Sequence, residues 1–232
     1  MTTTAAVSQP KGEPPPPLRR ILDAAARGQF PPPDGATTVL PQPSHRDAGV
    51  IAFTAHSVIF TDEDPAWVRA ALAATACDAL AATMNPRFLT ALMDRTGRTT
   101  DTIDVLHTAT ALPGAPSLPL TLPAPLQEIR DPGHPRVTRA RKRRDEVRVW
   151  AADGGVVVLG RGIAGRWEVA IEVAEPVRHQ GLGRTLARAA RHLLPPDTPL
   201  WAQVSAGNAR SLRAFHAAGY RPVASEALLT AP

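Results

Sequence analysis

The sequence predicts an α/β fold of the α+β kind. Its expected sheet is mixed and mostly antiparallel, with one parallel strand pair at the centre, helices against it, and a smaller N-terminal α/β segment in front. Three observations carry that expectation. Trp167–Val173 alternates, with Val169, Ile171 and Val173 on one side and Glu168, Ala170 and Glu172 on the other, which is the period of a half-buried strand. Leu182, Leu186, Ala189 and Leu193 then recur at helical spacing, with Arg184, Arg188 and Arg191 mostly off that stripe, until Pro195-Pro196 stops the helix. Leu200–Ser205 reads as a strand again, and a helix of about thirteen residues between two strands is long enough for a parallel crossover, which should be right-handed.

The strand passes into the helix through Arg178-His179-Gln180-Gly181-Leu182-Gly183-Arg184-Thr185. Gly181 and Gly183 lack Cβ, so backbone there can approach a ligand closely. The first N–H groups of a helix have no internal partner, and the helix dipole adds positive charge, a combination suited to a pyrophosphate. Arg178 and Arg184 bracket the turn and can add charge-assisted hydrogen bonds. These residues fit equally a turn that uses glycine only for its shape.

Two motifs weight the choice. The spacing Arg178-x-x-Gly181-x-Gly183 closely resembles the acyl-CoA pyrophosphate loop of the GNAT superfamily of N-acetyltransferases. Asn208-x-x-Ser211-x-x-x-Phe215-x-x-x-Gly219-Tyr220 is similar to that superfamily's second signature, in which an Asn opens a helix that ends in Gly-Phe or Gly-Tyr. The resemblance covers about residues 147–225. It implies acetyl-CoA held where strands 167–173 and 200–205 splay apart, by Val173, Arg178, His179, Gln180, Gly181, Leu182, Gly183, Arg184, Thr185, Asn208, Ser211 and Phe215. It also implies direct attack by an amine acceptor in a ternary complex, with N–H groups near Val173 on the carbonyl oxygen as it gains charge.

The amine must lose a proton, so a base is wanted. Glu168 and Glu172 share a face by parity and are the candidates, with Glu175 at the strand end a weaker one. Read without the resemblance, they are charged residues on a solvent-facing strand surface. One departure counts against full activity: Phe215 stands where many family members carry a Tyr that protonates the leaving thiolate. The alternative is therefore a non-catalytic acyl-CoA-binding module with a regulatory or partner-binding role.

Composition sets the bounds. A chain of 232 residues, 44% of them hydrophobic, suits one or two globular domains. It contains no apolar run of about 18 residues, and its start lacks a signal pattern, so a cytoplasmic location without membrane contact is expected. Cys77 is the single cysteine, which excludes an internal disulfide framework and a cysteine metal cage; no metal is expected, and Cys77 reads as a small core residue in an Ala-rich helix. The net charge of +5 comes almost wholly from arginine, a compositional bias more than a signal. The expected partner is a small-molecule or peptide amine, and a homodimer is compatible with the sequence.

Residues 1–45 read as a Pro-rich disordered tail and linker, with a short helix over Leu18–Arg27. Residues 46–112 read as an N-terminal α/β subdomain or the opening of an enlarged acetyltransferase fold. They should hold a hairpin turning near His56, a helix from Asp64-Pro65 to about Thr83, a second from Asn85-Pro86 to Gly97, and a strand within 103–112. Residues 113–232 form the acetyltransferase-like part, beginning with a Pro-rich connector to 135. The basic run Arg136–Arg148 suits nucleic acid, a phosphate of CoA, or a solvated helix face; without interleaved aromatics or a known motif, nucleic acid is not the expected partner. Val147–Ala152, Asp153-Gly154-Gly155 and Val156–Leu159 make a hairpin. Gly160-x-Gly162-x-x-Gly165 matches a dinucleotide or kinase glycine loop, yet a strand follows instead of a helix and the kinase Lys position is Glu172, so a tight hairpin is expected.

Overall fold

The computed structural model describes residues 18–116, 126–131 and 133–231. The tail expected at 1–17 and part of the expected connector lie outside the described residues. In chain order the elements are α1 (Leu18–Ala26), β1 (Thr37–Leu40), β2 (Asp47–Phe53), β3 (His56–Phe60), α2 (Pro65–Ala73), α3 (Ala79–Ala82), α4 (Pro86–Thr96), β4 (Asp104–Thr110), β5 (Gln127–Ile129), α5 (Pro135–Arg141), β6 (Asp145–Ala152), β7 (Gly155–Arg161), β8 (Trp167–Val173), α6 (Leu182–Ala190), β9 (Pro199–Ser205), α7 (Ala209–Ala217) and β10 (Arg221–Thr230).

Local chemistry explains most boundaries. The carboxylate of Asp64 accepts from the Ala66 N–H ahead of Pro65, and Asn85 does the same for Arg87 ahead of Pro86. Gly97 closes α4 in the left-handed conformation. The helix expected to run to Thr83 is broken instead. Thr75 folds its hydroxyl back onto Leu72 O at 2.7 Å, Ala76 turns to φ 50°, and Asp78 caps the separate α3. That break carries Cys77 out of the core: it is exposed, with Thr75 Oγ1 3.2 Å from its sulfur. The helix expected to reach Leu194 ends at Ala190, although Leu194 still packs into the core.

The ten strands of the described residues join one sheet in the order β1-β3-β2-β10-β4-β9-β8-β7-β6-β5. Among the described residues, only β1–β3 and β8–β9 pair in parallel. The N-terminal segment is thus no separate subdomain: β4 sits between β9 and β10, antiparallel to both, and belongs to the same sheet as the C-terminal motifs. The glycine run at 160–165 makes the β7–β8 connection, a single 3₁₀ turn over Ile163–Gly165, as the following strand required.

Both faces of the sheet are covered. Val157, Val169, Leu200 and Ala202 pack under α6 and α7, continuing into Val50, Ile59 and Ala227 under α2 and α4. On the opposite face, Ile51, Phe53, Leu106 and Trp201 pack against α1 and Ile163. Burying either set of apolar side chains stabilises the sheet by roughly 25 cal/mol per Å² removed from water.

Candidate functional site

The parallel pair is joined at only two positions, Trp167↔Leu200 and Glu168↔Trp201. Beyond them β8 runs on to Val173 and β9 to Ser205 while β9 stays fully paired with β4, so β8 and β9 part. Ala174 N–H donates to Gly154 O at 2.8 Å, toward β7. By the alternation of an antiparallel ladder, the amides of Ile171 and Val173 therefore point the other way, into the gap. A cleft of about 620 Å³ opens there, walled by Ile171, Glu172 and Val173, by the loop from Val177 to Arg184, and by Asn208, Arg210, Ser211, Arg213, Ala214 and Phe215 on and ahead of α7.

The loop presents donors. Its backbone is left-handed at His179 (φ 70°) and at Gly181 (φ 86°), where an L side chain is strained. Gly181 O accepts from Thr185 N–H at 3.1 Å, which starts α6. Among the described residues, no hydrogen bond is made by the amides of residues 179–184. Consecutive unpaired amides at a helix start form a concave anion cradle. At Gly183 an added Cβ would meet Val173 Cγ2 at 3.7 Å, ordinary contact, so only Gly181 is conformationally required. Arg178 Nε donates to Val173 O at 3.1 Å and ties the loop to the strand end.

The structure separates the expected residues. Val173, Arg178, His179, Gly181, Leu182, Gly183, Arg184, Asn208, Ser211 and Phe215 line the cleft; Gln180 and Thr185 do not. Asn208 caps α7, its side-chain Oδ1 accepting from Ser211 N–H at 3.0 Å. Phe215 is buried, edge-on to Tyr220 at 5.0 Å and stacked on His107 at 6.4 Å. Tyr220 gives its hydroxyl proton to Ala187 O at 3.2 Å, and burial pushes that hydroxyl's pKa up, so it offers no proton to the cleft. His216 packs on the same imidazole, its Nε2 2.9 Å from Nε2 of His107, and does not line the cleft.

The two candidate bases part company. Glu172 is exposed on the cleft wall. Glu168, expected on an open strand surface, is 4% exposed. Arg166 Nε donates to it at 2.8 Å, Arg144 Nε at 3.1 Å and Gln203 Nε2 at 3.3 Å. Arg166 also meets Glu226 at 2.7 Å, and that carboxylate is buried too. A Cβ at residue 162 would fall on the Glu168 carboxylate, so Gly162 supplies its space. Burial pushes the Glu168 pKa up, but Arg166 and then Arg144 outweigh that and hold it below the usual carboxylate range. A carboxylate so held is a poor base and a good structural anion. Glu175 is exposed and does not line the cleft.

The sequence reading missed three groups. Arg210 and Arg213 stand at the cleft mouth. Gln203, Arg166 and Glu226 complete the buried network. Asp104, at the start of β4 and directly across from Ser205, has its pKa raised to about 6 by burial and by the nearby Glu226 charge. Arg210 and Arg213, three apart just after the Asn208 cap, were available as a signal, since residues at that spacing are neighbours on a helix. Conversely, none of the described residues in the basic run 136–148 lines the cleft; Arg141, Arg144 and Arg148 border a different hollow with Trp167. That run is also no single helix, since α5 ends at Arg141 and β6 begins at Asp145.

No family model and no curated protein matches the sequence. Among solved structures the chain is similar to a GCN5-related N-acetyltransferase from Kribbella flavida, with 20% identity, 82% of this chain and 90% of that chain covered, and a TM-score of 0.39. It is similar also to a GCN5-related N-acetyltransferase from Sphaerobacter thermophilus, with 15% identity, 61% and 55% covered, and a TM-score of 0.37. No helix among the described residues is long and apolar enough to cross a membrane, and no group of three or more His, Cys, Asp or Glu side chains among them could hold a metal ion.

Proposed function

We propose that this chain is an acyl-CoA-dependent N-acyltransferase, with acetyl-CoA as donor and an amine as acceptor. The observation that carries the reading is the gap between β8 and β9, which leads directly to unpaired amides at 179–184. That donor set fits a diphosphate: several N–H groups, a helix start and two flanking arginines, with no carboxylate in the loop from 177 to 184. The GNAT resemblance of the two motifs points the same way.

In this reading the loop amides and Arg184 hold the diphosphate. Ile171 and Val173 face the pantetheine arm through the gap, and the Val173 N–H is placed for the carbonyl oxygen where charge develops. The bond formed is N–C to the amine, the bond broken is C–S, and the thiolate leaves as CoA. Glu172, on the cleft wall, takes the amine proton, directly or through water. Phe215 offers no proton to the thiolate, which draws it from solvent.

Phe215 and the buried Tyr220 also favour a second reading, a non-catalytic acyl-CoA-binding module. One experiment separates them: release of free CoA thiol from acetyl-CoA across a library of amines, with mass spectrometry of the acceptors. The enzyme reading expects thiol release matched by a gain of one acetyl group on an amine, abolished by Glu172→Gln. Binding of acetyl-CoA without acceptor-dependent release would favour the module.

A further inference from the structure

We infer that Arg210 and Arg213 of α7 form a site for a second phosphate group, the 3′-phosphate of the CoA nucleotide, distinct from the diphosphate cradle. This rests on the acyl-CoA reading above. The cleft lining holds four arginines, Arg178, Arg184, Arg210 and Arg213, against one acid, Glu172. A diphosphate is already served by the amides of 179–184 and the flanking Arg178 and Arg184. Two guanidinium groups remain, and both come from α7, on the opposite wall from the loop.

Among the described residues, no carboxylate pairs with either guanidinium. Arg210 Nη1–H donates to His179 Nε2 at 3.0 Å, a neutral acceptor, so that contact orients the guanidinium and neutralises nothing. Arg213 is exposed and, among the described residues, has neither an ion pair nor a hydrogen bond. Residues three apart on a helix are neighbours, so the two groups can converge on one dianion, and arginine's fork of donors matches phosphate geometry. The Arg210–His179 contact also links α7 to the diphosphate loop, so a ligand carrying both phosphates touches both elements. The chemistry selects a phosphorylated nucleotide over its dephosphorylated form.

The test is calorimetric binding of acetyl-CoA and of 3′-dephospho-acetyl-CoA to the full chain and to Arg210→Ala, Arg213→Ala and the double variant, each checked for an unchanged melting temperature. The wild-type chain should bind acetyl-CoA at least about tenfold tighter than the dephospho form, as charge-assisted contacts allow. The double variant should bind both equally, at the level of the dephospho form, and Arg213→Lys should keep part of the preference. Equal binding of the two ligands by the wild-type chain overturns the inference, as does a preference that survives the double variant. Binding of neither ligand overturns the acyl-CoA reading itself, an outcome distinct from the other two.

Discussion

Replacing Glu168 by Gln is the sharpest perturbation, because the sequence marks this residue as a candidate base and the structure makes it a buried anion. The side chain is 5% exposed and Arg166 is 1% exposed. Breaking a buried, hydrogen-bonded pair by neutralising one partner costs about 3–5 kcal/mol. The lower end applies, since Glu226 remains beside Arg166. For a chain of this size 1 kcal/mol moves the melting temperature by about 2–4 °C, so Glu168→Gln should melt about 6–12 °C below wild type at neutral pH. The pH dependence has a fixed sign. The folded pKa is depressed from 4.5, so the contribution is present above about pH 4.5 and is lost as pH falls through the folded value. The gap between variant and wild type should therefore narrow below about pH 4.5. Thermal melts from pH 3 to 8 measure it. A variant that melts with wild type yet has lost turnover would show that Glu168 acts on substrate and that the structural assignment is wrong.

Other outcomes follow from the same geometry. Glu172→Gln should leave the melting temperature within about 2 °C of wild type, because the residue is exposed, while lowering acceptor-dependent thiol release by a factor of about 10²–10⁴; an unchanged rate would remove Glu172 from the proposed mechanism. Gly183→Asp should abolish acetyl-CoA binding in calorimetry by adding bulk and negative charge at the cradle, while Gly183→Ala, which meets only Val173 Cγ2 at 3.7 Å, should retain it. Asp104 has its pKa raised from 3.8 to about 6, so it favours folding while protonated and loses that contribution as pH rises toward 6. Asp104→Asn should accordingly melt higher than wild type at pH 7.5 and converge with it near pH 4; a lower melting temperature at pH 7.5 would mean that the Asp104 charge is paired productively.

The strand, loop and helices that make the cleft were legible because their signals are local. Period-two alternation placed β8 at its observed residues, and Asp64, Asn85 and Asn208 each cap the helix their side chain announces. What failed was non-local. Strand propensity says nothing about neighbours, so the insertion of β4 between β9 and β10 was invisible and the N-terminal segment looked separable. Alternation assigns Glu168 to a face but not to an environment. Because α1 and Ile163 cover that face as well, a residue expected in solvent ends in the core. Arg210 and Arg213 were hidden by composition: in a chain whose positive charge is nearly all arginine, two more carry no contrast until the cleft shows that so little opposes them. The unpaired amides of the loop were an inference from glycine spacing, and only coordinates could show that the other described residues leave them unused.

The central claim is that the backbone of residues 179–184 receives a diphosphate at the mouth of the β8–β9 gap. Amide proton–nitrogen correlation spectra of the labelled chain, titrated with CoA, address it residue by residue. The account predicts the largest shifts at 179–184, with smaller ones at Ile171, Val173 and 208–215, and none in the basic segment 139–148. Shifts centred on 139–148, or an undisturbed loop at saturating CoA, would contradict it.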